Sequence, residues 1–232
     1  CILQDRLGLR KNIGAFDFNL GCSGYPYGLS LAKSLIEGGM ANQILLVTAD
    51  TYTKYLHHSD RTNRSIFGDA ATATLIVKDF EKGIGDFIFG TDGSGYEKLI
   101  IKRSGSKSIA FSPENSVFKE NDEYLYMDGP EVFNFTINVV PDSVEQILRK
   151  NEINKIQINQ FIFHQANSFM LNHLRKMIEV DNDNFFNDLR FEGNTVSSTI
   201  PIALKKYSNN SNLSFPQNIL VLGFGVGLSW SG

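Results

Sequence analysis

Three residues combine a reactive side chain with a position where function is commonly placed. Cys22 stands in Gly-Cys-Ser-Gly-Tyr, after an apolar run and at the head of a helical pattern. A helix N-terminus offers unpaired N–H groups and a positive dipole end, and both favour the thiolate, which is the nucleophile. His164 closes the apolar run Phe-Ile-Phe and opens His-Gln-Ala-Asn. Of the four histidines, His57 and His58 fall in a polar segment and His173 on the polar side of a helix. Only His164 sits at the carboxyl end of a strand, where α/β enzymes gather functional groups. Asn194 follows Gly193, a residue that permits close backbone approach or an unusual dihedral.

Each of the three also has an ordinary reading: a buried thiol acting as a small hydrophobe, a histidine bonded to backbone, and a helix-capping asparagine. Taken together, Cys, His and Asn in this order fit two chemistries. One is a papain-like thiol hydrolase, in which Asn orients the His that activates Cys. Its local signature, Cys-Gly-x-Cys-aromatic, is not matched by Gly-Cys-Ser-Gly-Tyr, and such enzymes are usually secreted and disulfide-bonded. The other is acyl transfer on an α/β scaffold.

The elements that must position these residues alternate along the chain. FDFNL (16–20) reads as a buried strand leading to Cys22. A helix follows, with Pro26 in its first turn and Gly38 and Gly39 at its end. QILLVTAD (43–50), DAATATLIV (69–77) and material within 84–102 read as strands. A polar, Ser-rich excursion covers 103–123. A long helix over 129–150 shows Phe133, Ile137, Val140, Val144 and Ile147 at helical spacing. INQFIF (158–163) is a strand, 168–178 and 196–207 are helices, SNNSNLSFP (208–216) is a loop, and 218–230 is two strands around a Gly-rich turn. This order predicts α/β with helices over a mixed sheet. A faint duplication, strand then reactive residue then helix, divides the chain into 1–80, carrying Cys22, and 81–232, carrying His164 and Asn194.

Composition narrows the function classes. The chain has 232 residues, 42% of them apolar including 18 Phe, enough for a sizeable core. A net charge of −3 argues against wholesale nucleic-acid or membrane binding. No stretch approaches the ~20 apolar residues of a membrane span, and there is no signal-peptide pattern. Two cysteines, one at the very start, give no disulfide framework, so a reducing, cytoplasmic setting is expected. The opening CILQDRLGL reads as the end of an amphipathic helix, the way a fragment begins.

At these residues the chain resembles the β-ketoacyl-acyl-carrier-protein synthase III family of thiolase-fold condensing enzymes. The resemblance lies in NLGCSGYPYGLSLA, LLVTAD, SDRTNRSIFGDAATATLI, FIFHQAN, GNTVSSTIPIAL and LGFGVGLSW, in the family's order. It implies a thiolase-like αβαβα layered fold, truncated at the N-terminus; a homodimer through the strand around 16–20 and the segment near 43–56 is expected separately, because an uncovered apolar strand at a sheet edge invites pairing. It implies that Cys22 takes an acyl group from acyl-coenzyme A, and that malonyl-acyl-carrier-protein is then decarboxylated and condensed with it. It places enolate stabilisation on His164 and Asn194, and an oxyanion site on the backbone N–H groups of Cys22 and Val226. A coenzyme A contact falls on Arg61, a tunnel wall on Phe67, and Phe224 falls near the nucleophile. Arg175 and Lys176 are the candidates for carrier-protein docking. No metal or cofactor is implied, only the coenzyme A thioester as substrate.

Three departures accompany the resemblance. The family's N-terminal βαβ region is absent, Val226 stands where glycine is common, and Phe169 falls about where an arginine often sits. Other thiolase-fold acyltransferases, of the hydroxymethylglutaryl-coenzyme A synthase or polyketide synthase type, fit the HQAN and GNT contexts less well. An inactive partner subunit would be expected to have lost its nucleophile first.

Overall fold

The computed structural model describes residues 1–79, 83–105, 121–209 and 216–232. The core of the excursion expected over 103–123, and most of the loop expected over 208–216, lie outside these residues.

Gln43–Asp50 (β1), mostly apolar, and Ala70–Val77 (β2) pair antiparallel from Gln43 opposite Val77 to Asp50 opposite Ala70. Leu46, Thr48 and Ile76 turn inward, whereas Leu45, Val47, Leu75 and Val77 are exposed on the other face. Against the inner face lies Gly24–Glu37 (α2), whose Tyr25, Ala32 and Ile36 meet Leu46 and Ile76 in one apolar cluster.

The second sheet has four strands. Gln160–Phe163 (β6) pairs parallel with Ile219–Gly225 (β7). From β7 the sheet continues antiparallel through Ser229–Ser231 (β8) to Phe89–Thr91 (β3). All four residues of β6 are buried, as a strand covered on both faces requires. On one face lie α2 and Thr199–Ser208 (α6), with Ile200 and Ala203 packed beside Ile162. The other face is covered by Gly129–Lys150 (α4) and Ser168–Met177 (α5), through Val140, Val144, Leu171 and Leu174. The described residues therefore stack as sheet, helices, sheet, helices. Leu99–Ile101 (β4) and Leu125–Met127 (β5) form a separate two-stranded ribbon.

Local chemistry accounts for the helix starts. The Asp128 carboxylate accepts from the Glu131 N–H (3.1 Å) at the head of α4, and the Asn167 side chain accepts from the Met170 N–H (2.8 Å) at the head of α5. Asn167, the last residue of His-Gln-Ala-Asn, is thus a helix cap.

One expectation fails. Residues 16–20 do not form a buried strand: they take no part in any ladder, and Phe16 and Phe18 are 67% and 36% exposed. The apolar pattern is real, but among the described residues no strand edge lies alongside to accept its hydrogen bonds. An unpaired apolar run stays extended without becoming a strand. The opening helix is short, Ile2–Arg6 (α1), and buries none of its residues.

Candidate active site

Cys22 lies in the turn before α2, 6% exposed. Two glycines of β7 make that position possible. A Cβ on Gly225 would stand 2.7 Å from both Cβ and Sγ of Cys22, and one on Gly223 would stand 2.6 Å from the Cys22 carbonyl oxygen. The strand backbone therefore lies directly against the nucleophile, which any side chain would prevent. A buried hydroxyl pair ties the two segments: Ser229 Oγ donates to the Val226 carbonyl (2.7 Å) and lies 2.7 Å from Ser23 Oγ.

Burial pushes the Cys22 thiol up to about 11, and the Asp50 carboxylate adds to this; the backbone N–H groups of Val226 and of Cys22 itself work the other way. The helix N-terminus was expected to favour the thiolate. Desolvation outweighs it, so the resting side chain is a thiol. The two N–H groups are those expected to form the oxyanion site, and their pull on the sulfur places both beside it.

His164 ends β6 and is 2% exposed, its ring edge-on to Phe224 with centroids 5.7 Å apart. Its Nδ1 lies 2.7 Å from Thr199 Oγ1, which also reaches the Val196 carbonyl at 3.0 Å. Burial lowers the imidazole to about 3, against a smaller upward pull from the Val196 carbonyl, so the ring is neutral. Gln165 braces the junction through the carbonyls of Phe163 (2.8 Å) and Phe186 (3.3 Å).

Asn194 is 5% exposed. Its Oδ1 accepts from the Val196 N–H (2.9 Å), which leaves the amide NH2 without a partner among the described residues. Its backbone pairs with the segment holding Phe67, through Asn194 N–H to the Ile66 carbonyl (2.9 Å) and Gly68 N–H to the Asn194 carbonyl (3.0 Å). Gly193, at φ +65°, comes so close to this segment that a Cβ would stand 2.6 Å from the Ile66 oxygen. The close approach expected of this glycine is therefore real.

Val196 connects the three. It holds Asn194 by its N–H and faces the Thr199–His164 pair by its carbonyl. Its side chain shares an apolar cluster with Cys22, Phe67 and Val226. Its φ is +56°, an outlier for a β-branched residue. The turn is held from β1: the Asp50 carboxylate accepts from the Ser197 N–H (3.1 Å) and from the Ser197 hydroxyl, and Thr48 Oγ1 lies 2.9 Å from Ser198 Oγ.

Of the other expected site residues, Phe67 and Phe224 are brought in and the charged ones are not. Arg61 is exposed at the start of Arg61–Arg64 (α3). The Arg175 guanidinium donates to the Val180 carbonyl (2.8 Å), just beyond the end of its own helix, while Lys176 is exposed on the last turn of α5. Reading the sequence missed Val196, Thr199, Asp50 and the Ser23–Ser229 pair. The Ser/Thr density of NTVSST was the available signal, but it reads equally as helix capping. Among the described residues no group of three or more His, Cys, Asp or Glu could hold a metal ion, and no helix is long and apolar enough to cross a membrane.

Comparison with known proteins gives the same reading from another direction. The family described as 3-oxoacyl-[acyl-carrier-protein] synthase III matches residues 16–93, and its C-terminal family matches residues 148–232. The chain is 38% identical to the beta-ketoacyl-[acyl-carrier-protein] synthase III of Clostridium perfringens over 235 residues, covering 99% of this chain and 70% of the relative. It superposes on a crystal structure of a 3-oxoacyl-(acyl-carrier-protein) synthase III with a TM-score of 0.91 at 45% identity, covering 100% of this chain and 71% of that one. The priming β-ketosynthase of the R1128 polyketide pathway gives a TM-score of 0.89 at 27% identity, with 100% and 67% covered.

Proposed function

This chain belongs to the 3-oxoacyl-[acyl-carrier-protein] synthase III family of thiolase-like acyltransferases, and from that premise we propose how its residues divide the condensing reaction. Cys22 accepts an acyl group from acyl-coenzyme A as a thioester, releasing coenzyme A. The backbone N–H groups of Cys22 and Val226 hold the oxyanion of that step. Malonyl-acyl-carrier-protein then loses carbon dioxide, and the enolate that forms attacks the acyl-cysteine to give the 3-oxoacyl product. His164 and Asn194 hold the enolate oxygen. A resident cofactor or metal has no part in this cycle.

The observation that carries the reading is the orientation of the Asn194 amide beside a neutral His164. The Asn194 amide is turned by Val196 so that its NH2 has no partner among the described residues. His164 is neutral, and the reading requires its ring proton on Nε2, with Nδ1 accepting from the Thr199 hydroxyl in place of that hydroxyl's bond to the Val196 carbonyl. Two uncharged donors suit an enolate, because neither must give up its proton. We further propose that segments 1–80 and 81–232 supply the nucleophile and the donor pair respectively, and that the protein works as a cytoplasmic homodimer. The exposed apolar residues of 16–20 and 43–56 are its contact. Lys176 is the stronger candidate for carrier-protein docking, since Arg175 is engaged within the fold.

Single variants test the division. Cys22→Ala should form no acyl adduct yet still release carbon dioxide slowly from malonyl-acyl-carrier-protein. His164→Ala or Asn194→Ala should still acquire an acyl group while decarboxylation falls about 10²–10³-fold. Intact-mass analysis beside release of labelled carbon dioxide reads both. A His164→Ala protein that cannot be acylated but decarboxylates normally would reverse the assignment.

A further inference from the structure

Tyr52 has no part in the cycle above, yet it stands beside the nucleophile. It opens a short 3-10 turn directly after β1. Its phenol oxygen lies 3.7 Å from the point where a Cβ would stand on Gly21, the residue before Cys22. The other two neighbours of that point are methyl groups of Val226 and Val196, at 2.7 and 3.2 Å. The Tyr52 ring packs on Phe67 with centroids 5.2 Å apart and belongs to the apolar cluster that includes Cys22. The hydroxyl thus lies close to the backbone that carries Cys22, with Val196 and Val226 on the same side of Gly21.

A half-buried phenol ordinarily finds a hydrogen-bond partner. This one makes no hydrogen bond to any described residue. It also keeps its proton to donate: burial raises its pKa, and the neighbouring Cys22 and Asp50 raise it further, so the ring stays neutral. A neutral donor with no acceptor among the described residues, close to the residue that carries the acyl group, is placed to meet an acceptor on that group. Asp50, close enough to act on both Cys22 and Tyr52, disfavours a second negative charge there.

We propose that Tyr52 is a specificity-determining residue whose hydroxyl donates to a neutral oxygen substituent on the acyl chain held by Cys22. Hydroxy- or oxo-acyl donors are then taken ahead of plain alkyl donors of the same length. The inference rests on the reading of Cys22 as the acyl acceptor. A plain alkyl chain offers the phenol no acceptor, and that difference is what discriminates the two classes.

The test compares matched donors on the intact protein. Acylation of Cys22 is timed by mass spectrometry with 3-hydroxybutyryl-coenzyme A, butyryl-coenzyme A and acetyl-coenzyme A, in the parent and in Tyr52→Phe. A hydrogen bond between neutral groups corresponds to a preference of about three- to tenfold for the hydroxyacyl donor in the parent. In Tyr52→Phe, which keeps the ring and removes the hydroxyl, the ratio should fall to about one. A parent without preference, or a variant that keeps it, overturns the proposal; so does equal slowing with both four-carbon donors, which leaves the ratio unchanged. If none of the three donors forms an adduct in the parent, the acyl-cysteine reading itself fails. Adducts that form without discrimination remove only the role of Tyr52.

Discussion

The two junctions that carry reactive side chains look alike in sequence and are supported in opposite ways. His164 stands at the end of β6, whose four residues are buried and hydrogen-bonded within a four-stranded sheet. Cys22 stands at the end of an apolar run that forms no ladder and leaves Phe16 67% exposed. Yet Cys22 is itself nearly as buried as His164. Its support comes from elsewhere in the chain, through the Gly223 and Gly225 backbone and the Ser23–Ser229 pair. One reactive group is held by the strand that leads to it, the other by a strand about two hundred residues later. Burial then moves both the same way chemically: it raises the thiol and lowers the imidazole, so each group rests uncharged.

Damage to the supporting strand of His164 should cost the fold. Ile162 is fully buried in β6, and Ile162→Ala should lower stability by about 2–5 kcal/mol in denaturant unfolding. A smaller effect than that would mean β6 is not the rigid element described.

The corresponding lesion for Cys22 lies in β7 rather than in its own approach. Gly225→Ala would place a methyl 2.7 Å from Cys22 Sγ, at a φ of +154° that L residues avoid. Acyl-adduct formation should fall about 10²-fold, the usual consequence of displacing a reacting group by about 1 Å. An Ala variant acylated at the parent rate would show that the nucleophile is not held by β7.

The shared neutrality gives a pH test. With a thiol at about 11, the thiolate fraction rises tenfold with each pH unit gained below that value, so acylation should climb tenfold per unit between pH 7 and 9. Parent and His164→Ala should climb alike. A parent that is flat while the variant climbs would make the imidazole the base for Cys22, as in a thiol hydrolase. Because His164 stays neutral down to about pH 3, no imidazole step should appear between pH 5 and 8 in either half-reaction.

The smallest effect sharpens the contrast most. Phe16→Ala, in the exposed approach to Cys22, should change protomer stability by only about 0.5 kcal/mol. A larger change that depends on protein concentration would place this segment in the dimer contact.

Much of the architecture was legible before any coordinates. The helices over 24–37, 129–150 and 168–177, and the strands over 43–50, 70–77 and 160–163, follow from periodicity and end signals, because each buries one face or two in a regular way. The 16–20 run misled because a strand is defined by its neighbour, and apolar residues do not say whether one is present. The site divides similarly. Cys22, His164 and Asn194 were visible as reactive residues at chain positions that turn or end an element. Val196 was not visible: nothing in its residue type announces a positive φ or a backbone that serves two partners at once.

What the sequence determined by itself is therefore which side chains could react and which elements deliver them, since both depend on residue type and local spacing. Only the tertiary structure decided their chemical state and orientation. Desolvation made Cys22 a thiol against the pull of its helix, because burial acts on the whole charge and the helix end only on part of it. Long-range contacts decided which end of the Asn194 amide is turned outward, which atom faces His164 Nδ1, and that Tyr52 stands close to the nucleophile with no hydrogen-bond partner among the described residues.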